Sequence, residues 1–215
     1  MNINELAEIS WFHGGDDIFQ EWSFPPPMKK NQNYLIRHSP VFFTANKEYA
    51  LGAGKRLAVS SLKKDANILN TISNYAASEK LRVMTSKIQL MEKSLNVQHD
   101  FWHRGWLSGD VLRYAWTDVD LEHHFHKEIR RNCEEYDMSK EYGTYVFNLN
   151  LTRSLIESIC KCAFDMGYDG LFGHEVDRHS VEGKTLSQPI LAVFRENVIS
   201  SPVWIGHNSC GELIG

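Results

Sequence analysis

Three short stretches of this chain hold residue types that could do chemistry together. His13-Gly14-Gly15 lies near the start. A histidine there can offer a ring nitrogen to a ligand hydroxyl, and the glycines let a ligand approach bare backbone N–H and C=O groups. Val41-Phe42-Phe43-Thr44 is followed by Asn46, Tyr49, Ala50 and Ala53. Aromatic rings at a strand end, next to a helix with small residues on one face, can wall a pocket for a flat heterocycle. Both phenylalanines would serve equally well as core. The third stretch is Gly167-Tyr168-Asp169-Gly170-Leu171-Phe172 with Glu175 beyond it, joined later by Gln188-Pro189-Ile190-Leu191-Ala192-Val193-Phe194. A carboxylate or amide entering a core strand could face a pocket and polarise a sugar hydroxyl. Taken singly, each acidic residue reads as a solvated loop charge.

The elements that must position these residues follow from pattern. Ile9 to Phe12 predicts a strand ending at the His13-Gly14-Gly15 turn, with Asp16 or Asp17 capping a short helix through Phe19 and Trp22. Pro25-Pro26-Pro27 cannot continue a helix and predicts an extended loop leading to a strand at Val41 to Thr44. Asn46 is the expected cap of a helix from Lys47 through Leu51, and Leu57 to Leu62 and Ile68-Leu69 read as further strand. From about residue 73 to 135 the period becomes helical: Leu81, Met84, Ile88 and Met91 recur at i, i+3, i+4 spacing, and a second helix covers about Leu121 to Tyr136. Leu151, Leu155, Ile156, Ile159, Ala163 and Phe164 form the apolar face of a third, closed by Gly167. Strand returns at Gly170 to Phe172 and at Pro189 to Phe194, with Val198 and Ile199 as an edge segment. Strands first, helices in the middle and strands again make an α+β fold in one domain spanning residues 1–215, with a mostly helical insertion at about 73–160.

Composition narrows the function. The 215 residues carry 23 Lys+Arg against 27 Asp+Glu, a net charge of −4, with 42% hydrophobic residues. That is a globular chain without the clustered basic surface of a tight duplex binder, although a nucleic-acid substrate held in a local cleft is compatible with it. No apolar stretch approaches the roughly 20 residues of a membrane span. Met1 to Ile9 holds two glutamates and no Lys or Arg, unlike a secretory or transit signal, so a reducing cytoplasm is the expected location. Cys133, Cys160, Cys162 and Cys210 do not space as a disulfide scaffold or zinc ribbon and read as buried or idle thiols.

Other clusters carry weaker signals. Glu122, His123, His124, His126 and Glu128 could pair across a helix face, but His-Glu-x-x-His is absent, so no metal site is expected. His99-Asp100-Phe101-Trp102-His103-Arg104-Gly105-Trp106 interleaves aromatic and basic residues, which suits packing on a sheet or stacking single-stranded bases. If the substrate is nucleic acid, Arg104, Arg113, Arg130 and Arg131 are the expected phosphate contacts. Asp65 and Asp169 could act as acid or base, but no nucleophile elbow or phosphate loop accompanies them.

The order and spacing of the three leading stretches together resemble the ADP-ribosyltransferase family, most of all its histidine-tyrosine-glutamate branch of diphtheria-toxin-like and poly(ADP-ribose) polymerase-like domains. The resemblance covers about residues 9–70 and 160–205 and leaves the helical middle unmatched. It implies a split β-sheet core with NAD, the substrate, in a cleft between two sheets. His13 would contact a ribose of NAD and the Gly14 backbone would hold the nicotinamide carboxamide. Phe42 falls where the branch usually has tyrosine and would stack on the nicotinamide ring, Tyr49 would form the other wall, and Thr44 occupies a position often small or hydroxylated.

The chain departs from that pattern at the catalytic glutamate, where it has Ser187-Gln188-Pro189-Ile190. Gln188 can hydrogen-bond a ribose 2′-hydroxyl but carries no charge; Glu175 or Glu182 could supply one from the preceding segment. Three readings follow: mono-ADP-ribosyl transfer without the usual glutamate, transfer with a displaced glutamate, or a NAD-binding or protein-interaction module without activity. Mono-transfer to a protein, RNA or DNA acceptor is the leading expectation and polymer synthesis the last. A bacterial or phage toxin or effector restrained by a neutralising partner protein would fit it.

Overall fold

Alternate residues along the central strands go to opposite faces, and this period of two sets the layers. The computed structural model describes residues 3–28, 32–88, 118–177 and 186–205. In β6 (Leu186–Val193), Ile190 and Ala192 join a core made with the helices, including Leu81, Leu155 and Ile159. Leu191 and Val193 point the other way, into a core with Trp11, Phe43 and Trp204. The neighbouring β2 (Val41–Thr44) repeats the pattern, with Val41 and Phe43 in the second core and Phe42 leaning on the first. In β5 (Gly170–Asp177), Leu171 and Phe172 divide in the same way.

With β1 (Ser10–Gly15), β3 (Arg56–Ser61), β4 (Ile68–Asn70) and β7 (Val203–Trp204), the strands form one seven-stranded mixed sheet in the order β4-β5-β6-β2-β1-β3-β7. Among the described residues only the β4–β5 pair is parallel. A parallel pair needs a long crossover, and the helical middle of the chain supplies it. The sheet is nearly interrupted between β1 and β2. Phe12 opposite Thr44 is their one register pair among the described residues, whereas β1 and β3 stay in register from Ser10↔Ser61 to Gly15↔Arg56.

The described helices are α1 (Ile3–Ala7), α2 (Lys47–Leu51), α3 (Tyr75–Ser86), α4 (Asp118–Tyr136) and α5 (Lys140–Asp165). Side-chain oxygens of Asn46, Asn74 and Ser139 cap α2, α3 and α5 by accepting from first-turn amides. After α5, Gly167 takes φ +91°, a left-handed conformation that glycine adopts without strain. None of the described helices is long and apolar enough to cross a membrane.

The α+β class, the strand at Val41–Thr44 and the Asn46-capped helix agree with the sequence reading. Four details differ. His13-Gly14-Gly15 continues β1 rather than turning, because the ladder with β3 extends to Arg56. No helix follows Asp16; Phe19 and Trp22 are instead held by tertiary contacts. The Trp22 indole N–H donates toward Ser60 Oγ (3.2 Å) and Ser200 O (3.0 Å), and that of Trp204 to Phe19 O (2.8 Å). Phe164 lies one step round α5 from Ala163 and is 43% exposed, under the guanidinium of Arg195. The last helix begins at Lys140, well before the apolar face read from Leu151, and its end at Asp165 agrees with the expected stop at Gly167.

Candidate ligand cleft

His13 stands where β1 and β2 stop pairing. Its Nδ1 lies 2.9 Å from the carbonyl oxygen of Phe42, and since a carbonyl only accepts, Nδ1 carries the proton. On a neutral ring, Nε2 is then the acceptor. The ring is wedged edge-on against Trp22 at 5.0 Å and tilted against Phe43 at 5.8 Å. One side chain thus bridges the two strands where their ladder fails, and fixes its own tautomer in doing so.

Gly14 is required by packing. A Cβ there would sit 1.7 Å from the carbonyl oxygen of Ala50 on α2. The missing side chain lets α2 approach β1 closely, while the Gly14 backbone contributes to the cleft wall.

Register places the remaining residues. Phe42 lies opposite Ala192 and Thr44 opposite Ile190, while Gln188, two residues before Ile190, lies opposite Glu175. Asn46 reaches across β2's end: its Nδ2 donates to Gln188 Oε1 at 3.0 Å while its Oδ1 accepts from the amides of Glu48 and Tyr49. The helix cap therefore also orients Gln188, turning its acceptor toward Asn46. His13, Gly14, Phe42, Thr44, Tyr49, Glu175 and Gln188 all line a single cavity of about 1200 Å³. Glu182, the other carboxylate considered, lies outside the described residues.

The facing wall is one that sequence reasoning missed. Residues 32–40 form a strap held along α5. Asn150 Oδ1 accepts from the Ile36 amide at 2.8 Å and its Nδ2 donates to Tyr34 O at 2.7 Å. Arg153 Nε donates to Ile36 O, and the Glu157 carboxylate accepts from the Ser39 amide and hydroxyl, with contacts of 2.8 to 3.0 Å. Arg37 in turn donates to the carbonyls of Pro25 and Pro26, tying the proline loop to the strap. The polar positions 150, 153 and 157 recur at i, i+3, i+7, a helix-face signal that the sequence reading did not single out and that does not name the segment they hold.

On this wall the His38 ring meets Phe42 edge-on at 5.1 Å. Burial, aided by the charge of Arg153, pushes its pKa down to about 3, so the ring is neutral. Its Nδ1 is buried with no hydrogen-bond partner among the described residues. Burial also lowers the pKa of the half-buried Arg153.

The other candidates settle elsewhere. Asp169 is a fastener between strand ends, its carboxylate accepting from the Asn67 amide at 3.1 Å and pairing with Arg195 at 3.4 Å. Asp65 is exposed. Glu122 pairs with Lys140, and α4 has a non-helical residue at Phe125, which lies between the members of both expected pairs, 122 with 126 and 124 with 128. Among the described residues no three His, Cys, Asp or Glu side chains converge as a metal site. Burial raises the thiol pKa of both Cys160 and Cys162, which makes them poor nucleophiles. Arg130 and Arg131 are exposed on α4, while Arg104, Arg113, Cys210 and the stretch from His99 to Trp106 lie outside the described residues.

No family model matches the chain and no curated protein matches it. A solved structure titled "Crystal structure of an anti-CRISPR protein" aligns over 92% of this chain and 98% of its own, at 13% identity and a TM-score of 0.37.

Proposed function

We propose that the cleft binds NAD and that the protein is a mono-ADP-ribosyltransferase acting on a protein or nucleic-acid acceptor. The observation that carries this reading is convergence: seven residues from β1, β2, α2, β5 and β6, singled out from separate stretches of sequence, share one cavity. Its volume exceeds the ~300–1,000 Å³ of common small-ligand pockets, which suits an extended dinucleotide. The near-interruption between β1 and β2 is where a split-sheet core would open.

In this reading His13 Nε2 accepts from a ribose hydroxyl, and Phe42 and Tyr49 flank the nicotinamide ring. The Gly14 backbone holds the carboxamide. The bond from nicotinamide N1 to ribose C1′ breaks with its electron pair leaving on nicotinamide. The acceptor's nucleophile then forms the new bond to C1′ and gives up its proton. Gln188 has its acceptor engaged by Asn46 and bears no charge. Glu175, directly across the strand pair, supplies the negative charge that stabilises the developing ribosyl cation. This is the displaced-glutamate form of the chemistry. A toxin or effector role with a neutralising partner, in the cytoplasm, belongs to the same proposal.

The test is incubation with labelled NAD and a whole-cell lysate, separated into protein and nucleic-acid fractions. Label should appear in one fraction, vanish in His13→Ala, fall on the order of 100-fold in Glu175→Gln and survive in Gln188→Ala. No labelling and no nicotinamide release would favour the alternative, an inactive NAD-binding or interaction module, for which the uncharged Gln188 speaks. A thermal shift with NAD separates those two, since a ligand of the folded state raises its stability.

A further inference from the structure

We infer that the strap end of the cleft is an anion subsite in which Arg153 takes the diphosphate of the dinucleotide, an assignment of ligand that rests on the NAD reading above. Arg153 comes from the helical insertion, the part of the chain without a match to the resemblance, and it lines the same cavity as His13 and Gln188. Its Nε is committed to Ile36 O, and no carboxylate lies within 4.0 Å of it among the described residues. The neighbouring Glu157 is occupied by Ser39. Glu157 attracts Arg153 without contact, burial outweighs that attraction, and the two remaining guanidinium nitrogens have the fork geometry that suits phosphate oxygens. Near it, the buried Nδ1 of His38 has no hydrogen-bond partner among the described residues.

The distribution of charge around the cavity points the same way. Carboxylates Asp16, Asp17, Glu21 and Glu48 lie on the segment after β1 and on α2, and Glu175 lies on β5, whereas the cationic side chains Arg37 and Arg153 lie on the strap and α5. Arg37 is spent on the proline carbonyls, which leaves Arg153 to meet a ligand. NAD has the complementary polarity, with a cationic pyridinium at one end and an anionic diphosphate in the middle. Phe42, between His13 at its carbonyl and His38 at its ring, spans the two zones.

Calorimetric titration of the full chain with NAD, ADP-ribose, nicotinamide riboside and inorganic pyrophosphate tests the assignment. Arg153→Gln should weaken NAD and ADP-ribose about tenfold or more and leave nicotinamide riboside within about twofold. Arg153→Lys, which keeps the charge, should recover part of the loss. Asn150→Ala loosens the strap without touching charge and should cost much less than Arg153→Gln; an equal loss would mean that Arg153 only holds the strap, and the subsite is withdrawn. Wild-type binding of NAD with no effect of Arg153→Gln sinks the subsite and spares the function. Binding of pyrophosphate, sensitive to Arg153→Gln, without binding of NAD sinks the function and spares the anion site. Binding of neither overturns both. Should Arg153→Gln not fold, the wild type decides: ADP-ribose binding must weaken with salt and be competed by pyrophosphate, and indifference to both overturns the proposal.

Discussion

One wall of the cleft is a sheet and the other is a strap, and they are held by different forces. On the sheet wall, Phe42, Thr44 and Gln188 occupy fixed register positions opposite Ala192, Ile190 and Glu175, so backbone ladders place them. On the strap wall, Gln32 to Ser39 have no ladder; side chains of α5 hold them at Tyr34, Ile36 and Ser39. The sheet wall should therefore respond to changes in backbone packing. The strap wall should respond to charge and pH, because polar side chains and a buried imidazole hold it together.

The largest expected break is on the sheet side. Gly14→Ala drives a Cβ against the Ala50 carbonyl, which is backbone and cannot rotate away, so β1 and α2 must separate. We expect a loss of about 3 kcal/mol, read as a fall in Tm. Gly15→Ala is the control: its Cβ would meet nothing nearer than 3.5 Å, and its Tm should stay close to wild type. Equal effects of the two would mean that close approach does not govern this wall.

The strap side should show itself through pH. His38 has a folded pKa of about 3 against an ordinary value of 6.5, so between those values the unfolded chain binds the extra proton. Stability is therefore fully present above about pH 6.5 and declines as pH falls toward 3. From pH 7 to 5 the wild type should lose on the order of 2 kcal/mol more than His38→Leu in denaturant titrations. Parallel pH profiles for the two proteins would remove His38 as the source.

The smallest effect sharpens the comparison at the junction of α2 with the sheet. Asn46→Ala removes both the cap of α2 and the donor to Gln188, and should cost about 1–2 kcal/mol. Asn46→Asp keeps the cap and loses only the donor, so its Tm should lie much nearer wild type. Its Glu48 and Tyr49 amides should stay protected from hydrogen exchange. Loss of that protection in the aspartate variant would show that the Gln188 bond, and not the cap, anchors the helix.

What could be read beforehand follows from where the information lies. The Asn46 cap and the strand at Val41–Thr44 are local, set by one side chain and by a period of two, and both were legible. The expected helix after Asp16 had a local signal too, but indole hydrogen bonds from Trp22 to Ser60 and Ser200 overrode it, and those partners lie far along the chain. Asn150, Arg153 and Glu157 have helical spacing but were not singled out, and nothing in that spacing names residues 34 to 39 as what they bind.

By itself the sequence determined the residue types of the sheet wall, the alternation that sends Phe42 and Phe43 to opposite faces, and the glycine that admits α2. Only the tertiary structure decided that Glu175 faces Gln188, that His13 bridges two strands at their gap, and that Arg153 reaches the cavity. The physical reason is range. Propensity, capping and periodicity act over a few residues, whereas register and side-chain contact between separate segments, whether the 29 residues from His13 to Phe42 or the 117 from Ile36 to Arg153, exist only once the chain has closed on itself.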